Sequence, residues 1–101
     1  MKWAFIYTLD DDADGPRIDV LGTMTCVGVA NVEDAPTIAR RLVDEGVELI
    51  ELCGGFGASG TAAVIEAVSH RVPVGAVSYG VEASAGLQRL FGTQSSSTSK
   101  R

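Results

Sequence analysis

The chain has 101 residues, of which 46% are hydrophobic and 21% charged, and a formal net charge of −5. That length holds one domain and excludes a complete dinucleotide-binding domain joined to a substrate domain, while the apolar share excludes a disordered chain. Eight scattered Lys and Arg residues against thirteen acids argue against nucleic acid as the main partner. No apolar run approaches the ~18–20 residues of a bilayer span. Asp10-Asp11-Asp12 cuts short the apolar start, so a signal peptide or anchor is not expected. The two cysteines, Cys26 and Cys53, are therefore expected to be reduced, in a cytoplasmic protein.

Residues 2–8 read as a strand, with Trp3, Phe5 and Tyr7 on one face and Ala4 and Ile6 on the other. Both faces are apolar, the pattern of a strand covered on both sides. Residues 9–16 form an acidic loop closed by Gly15-Pro16. A second strand is expected at 23–29, rich in β-branched residues. A helix follows at 34–45, where Ile38, Ala39, Leu42 and Val43 form one stripe. Asn31 or Asp34 would cap it, Pro36 falls in its first turn, and Gly46 stops it. Residues 47–52 read as the third strand, 53–60 as a glycine-rich link, 58–69 as a helix with a wide apolar arc, and 72–79 as the fourth strand. A short last helix starts near residue 82, and a Ser/Thr-rich tail occupies 93–101 beyond a single domain at 1–92. The order β-β-α-β-α-β-α predicts a small α/β domain: a mostly parallel four-stranded sheet with helices on its faces. The first strand is left parallel or antiparallel, because its link to the second is short for a helical crossover.

In open α/β sheets, ligands bind beyond the carboxyl ends of the strands, where helix N-termini present unpaired N–H groups and partial positive charge. The link after the third strand fits that place. Gly54, Gly55, Gly57 and Gly60 leave its backbone bare, and Gly55-Phe56-Gly57-Ala58-Ser59-Gly60 has the form G-x-G-x-x-G. A dinucleotide needs two mononucleotide halves and this chain supplies about one, so the expected ligand is a smaller anion, a carboxylate or phosphate. The same glycines also suit a plain tight turn from strand to helix.

Three residues near this loop bear reactive groups. Glu51 ends the third strand in apolar surroundings, where desolvation would tune it for proton transfer; equally, it suits a solvated or paired edge. Cys53 enters the loop beside a helix N-terminus, which favours a thiolate nucleophile, although free cysteines usually serve as small buried hydrophobes. Tyr79, with Ser78 and Glu82, leaves the end of the fourth strand at the same rim, and Tyr7 and Thr8 join them if the first strand is parallel. His70, the single histidine, lies at the far end of the intervening helix and suits its C-terminus electrostatically. With one histidine and no CxxC pair, a zinc site is not expected. Asp10-x-Asp12-x-Asp14-Gly15 copies the first half of a calcium loop, but Leu21 stands where the bidentate Glu belongs, so no metal is expected.

The runs Val47-Glu48-Leu49-Ile50-Glu51-Leu52-Cys53-Gly54-Gly55-Phe56-Gly57 and Arg71-Val72-Pro73-Val74-Gly75-Ala76-Val77-Ser78-Tyr79-Gly80, together with Lys2-Trp3-Ala4-Phe5-Ile6-Tyr7, resemble a family of small uncharacterised bacterial proteins, a domain of unknown function, most specifically in Glu51 to Gly57. The resemblance supports the order of strands and helices and implies no known activity. The expectation is a homo-oligomer that binds a small anionic metabolite through Gly54, Gly55, Phe56, Gly57, Ser59, Ser78 and Glu82. Phe56 would cover the ligand's apolar part. Any chemistry would be cofactor-free lyase or isomerase proton transfer by Glu51 or Tyr79, with Cys53 as the alternative nucleophile. The competing expectation is a non-catalytic assembly or regulatory module, built on the apolar helix at 61–68.

Overall fold

A computed structural model describes residues 1–10 and 13–92. Five strands form one sheet in the order β2-β3-β1-β4-β5: β1 (Trp3–Thr8), β2 (Arg17–Leu21), β3 (Met24–Val29), β4 (Leu49–Leu52) and β5 (Val74–Ala76). The helices are α1 (Ala35–Asp44), α2 (Gly57–Ala67) and the short α3 (Ser84–Leu87), which continues as a π turn to Gly92. Single 3-10 turns lead into all three helices. The α/β expectation holds. The sheet is mixed and five-stranded rather than four-stranded, and the tail at 93–101 lies outside the described residues.

The additional strand settles the direction of β1. β2 pairs antiparallel with β3 through a two-residue turn at Gly22-Thr23, where Gly22 takes φ +62°. The chain thus reverses twice between β1 and β3, so β1 lies parallel to β3 without a helical crossover, and it lies parallel to β4 on its other side. Alternation in Arg17-Ile18-Asp19-Val20 ahead of a glycine is the sequence signal for this strand.

Both long helices cover the same face, which corrects the expectation of helices on both. From β3 the chain steps across β1 to β4 and then on to β5, always in one direction. Crossovers of one hand moving in one direction put their helices on one side. The only step in the other direction, β1 to β3, is made by the hairpin and carries no helix. Accordingly α1 and α2 touch each other. Ala4, Ile6, Val27, Val29, Ile50 and Leu52 are buried beneath them in a single core with Ala35, Ala39, Leu42, Phe56, Val64 and Val68. On the opposite face Trp3, Phe5, Tyr7, Met24, Cys26 and Leu49 are half-buried, and no described helix lies over them.

Local chemistry sets the helix ends. α1 begins with Pro36 in its first turn, and neither Asn31 nor Asp34 makes the expected side-chain cap. It ends in a Schellman arrangement, in which Val47 N–H donates to the Leu42 carbonyl (3.0 Å) and Gly46 N–H to that of Val43 (3.0 Å). Gly46 supplies the positive φ of +104°. α2 stops without a glycine, so Ser69 and His70 themselves adopt φ of 53° and 58°.

Candidate functional site

A cleft of about 790 Å³ opens at the carboxyl ends of β4 and β5, beside the first turn of α2. One wall is Cys53, Gly54, Gly55, Gly57 and Ala58. The facing wall is Ala76, Val77, Ser78 and Tyr79, and Leu87 and Phe91 close the side. Cys53 N–H donates to the Ile6 carbonyl (3.0 Å) and Val77 N–H to the Leu52 carbonyl (2.9 Å), which ties each wall to the strand beside it. The volume is that of a small-molecule pocket.

The backbone at the first wall is bare for identifiable reasons. Gly54 and Gly55 open the 3-10 turn, so their N–H groups have no acceptor within it, and none is supplied elsewhere among the described residues. Gly57 takes φ +65° with ψ −174°, a conformation essentially confined to glycine. A Cβ on Gly55 would lie 3.1 Å from the Thr8 hydroxyl, and one on Gly60 would lie 3.0 Å from Val32 Cγ1. Gly60 is therefore a packing glycine. The G-x-G-x-x-G run divides into a close approach at 55, a special backbone at 57 and helix packing at 60. The N-terminus of α2, with its partial positive charge, opens beside the cleft at Gly57 and Ala58.

The structure brings Cys53, Gly54, Gly55, Gly57, Ser78 and Tyr79 together at this cleft. Cys53 is half-buried, and its Sγ lies 3.8 Å from Thr8 Oγ1. Tyr79 stands at the rim, 64% exposed. Thr8 reaches Cys53 and Gly55 because β1 runs parallel to β4, but it does not line the cleft, whereas Tyr7 goes to the open face and stacks on Phe5 with ring centroids 6.1 Å apart.

Four of the residues expected here lie elsewhere. Phe56 is 4% exposed and belongs to the core, because the 3-10 turn points it inward against Gly60, so it does not cover the cleft. Ser59 faces solvent on α2 and is not part of the lining. Glu51 is exposed and lines a separate, smaller hollow of about 200 Å³ with Gly75, Ala76 and Val77. The Glu82 carboxylate folds back against Gly80. Among the described residues no carboxylate lines the cleft, and its protic side chains are Cys53, Ser78 and Tyr79. Sequence reasoning missed Leu87 and Phe91 as lining residues, although their spacing of four does mark one helical side.

His70 follows α2 at the end away from Cys53 and lines a different hollow with Ile65 and Arg71, so the two do not pair. Among the described residues no group of three or more His, Cys, Asp or Glu is placed to hold a metal ion. Asp12 of the calcium-like run lies outside the described residues. No helix among the described residues is long and apolar enough to cross a membrane.

No curated protein and no solved structure matches the chain. The profile of a family of unknown function (DUF6506) matches residues 1–92, so the chain belongs to that family.

Proposed function

We propose that the cleft binds a small organic anion, a carboxylate or phosphate head on an apolar body. The observation that carries this reading is the pairing of two acceptor-free amides, Gly54 and Gly55, with apolar walls in one concave site. Anions favour such amides next to a helix N-terminus. Ala76, Val77, Leu87 and Phe91 suit a hydrocarbon body, and Tyr79 at the rim offers a hydroxyl and a ring face. Should the bound anion react, cofactor-free proton transfer of the lyase or isomerase type fits best. Tyr79 and Cys53 are then the catalytic candidates, because Glu51 faces another hollow.

A panel of small carboxylates and phosphates, screened by thermal shift and followed by calorimetry, tests the proposal. At least one acid raises the melting temperature, and Ala58→Asp weakens its binding by about tenfold or more through repulsion. Ala58 is exposed in the first turn of α2, where an acid is compatible with folding. No shift from any acid, or an Ala58→Asp protein that binds as well as the original, overturns the proposal.

A non-catalytic oligomeric module is the second reading. It is favoured by the apolar side chains that residues 77–91 leave in solvent, among them Val81 at 87% exposure, Leu90 and Phe91. A stable oligomer that binds none of the panel supports it.

A further inference from the structure

The outer edge of β2 carries a pattern that fits a second copy of the same strand. Trp3 N–H donates to the Thr23 carbonyl (3.0 Å) and Leu9 N–H to the Val29 carbonyl (2.8 Å). In a parallel ladder with the observed register, the peptide groups of Thr25, Val27 and Val29 therefore face β1. Those of Met24, Cys26 and Gly28 face β2, where they bond Leu21, Asp19 and Arg17. What remains on the outer edge is the N–H and C=O of Ile18 and of Val20, and by the same alternation the C=O of Pro16. The edge carries no lysine, no described element covers it, and its Ile18 and Val20 are 60% and 68% exposed, so Arg17 and Asp19 are the charges that decide what it can pair with.

We infer that two copies of this chain pair antiparallel through β2, with Ile18 on the two-fold axis. Charge selects this register from those the free peptide groups allow. Centring on Ile18 places Arg17 opposite the partner's Asp19, and Asp19 opposite the partner's Arg17. Centring on Asp19 sets two carboxylates face to face, and centring on Val20 leaves both charges without a partner. Opposite charges directly across a ladder are favourable and like charges are not. In one chain Arg17 and Asp19 lie 3.6 Å apart along the strand, both well exposed, so each is free to turn to the partner.

Ile18 N–H donates to the partner's Ile18 carbonyl, and Val20 N–H donates to the partner's Pro16 carbonyl, each twice by symmetry. Pro16 then sits where only its carbonyl is required. On the helix side Ile18 packs on its symmetry mate and Val20 on the partner's Pro16, so apolar side chains now in solvent cover one another. The result is two sheets joined edge to edge with closed symmetry. It is independent of what the cleft binds.

Light scattering of the full chain, with three charge variants and two cysteine variants, tests this pairing. The unsubstituted chain is a dimer at about 100 µM. Arg17→Asp and Asp19→Arg each weaken the dimer by about tenfold or more, and the double variant that exchanges the two charges restores it. Under mild oxidation Ile18→Cys gives a covalent dimer, because cross-strand hydrogen-bonded positions lie ~5.5 Å apart, within disulfide range. Val20→Cys, which faces the partner's Pro16, gives no more than the unsubstituted chain with its native Cys26 and Cys53. A monomeric chain, charge reversals without effect, or cross-linking at 20 in preference to 18 overturns the inference. The cysteine variants keep the test decisive should a charge variant misfold.

Discussion

The two faces of β1 are both apolar in sequence, and the sheet buries them in different ways. On one, Ala4, Ile6, Val27, Ile50 and Leu52 are small or branched and lie wholly beneath α1 and α2. On the other, Trp3, Phe5, Tyr7 and Met24 are large and stand side by side, half-buried without a second layer among the described residues. Phe5 stacks on Tyr7 at an interplanar angle of 17°, and a Cβ on Gly28 would run into the Tyr7 ring and Leu9. Wide side chains on neighbouring rungs can thus screen one another laterally, as cross-strand pairs do. An apolar strand face signals burial, but it does not say whether helices or neighbouring side chains provide it.

The sharpest break in that contrast comes from the helix-covered side. Ile50→Ala leaves a hole in a sealed core and costs about 2–5 kcal/mol, read as a lower denaturant midpoint. Phe5→Ala, on the open side, costs about 1–2 kcal/mol, since much of the ring is screened only by its neighbours. If Phe5→Ala proves as costly as Ile50→Ala in the same denaturation series, the open face is covered in solution and the contrast falls. The smallest effect belongs to the junction that returns the chain from the helix layer to the sheet. Ser69 holds φ 53° there, so Ser69→Gly raises stability by about 0.5–1 kcal/mol, seen as a rise of a few degrees in melting temperature.

Much of this architecture was legible one residue at a time. Gly46 ends α1 because a left-handed residue is needed there, Pro36 opens it, and the glycines after β4 mark the turn beside the cleft. Where the sequence misled, the deciding contact was non-local. Period-two alternation puts Glu51 and Cys53 on one face, but β4 ends at Leu52, so Cys53 leaves the alternation for the rim while Glu51 stays on the open side. Phe56 is expected to cover a ligand's apolar part; the rotation of a 3-10 turn sends it into the core instead. The side taken by α2 follows from the direction of travel through the sheet, which depends on a hairpin some thirty residues earlier in the chain. That hairpin was hard to read because β2 is brief and follows a proline.

The ladder between β4 and β5 has three rungs, Ile50 to Val74, Glu51 to Gly75 and Leu52 to Ala76. The far bank of the cleft is joined to the sheet by that ladder, and no residue from 77 to 92 is buried. The near bank is moored by Phe56 and Gly60 to the interior. Fraying three rungs is a local event with a low free-energy threshold. On the proposed reading, the mouth would widen from one shore only, and guests of different girth would leave the amides on the other undisturbed.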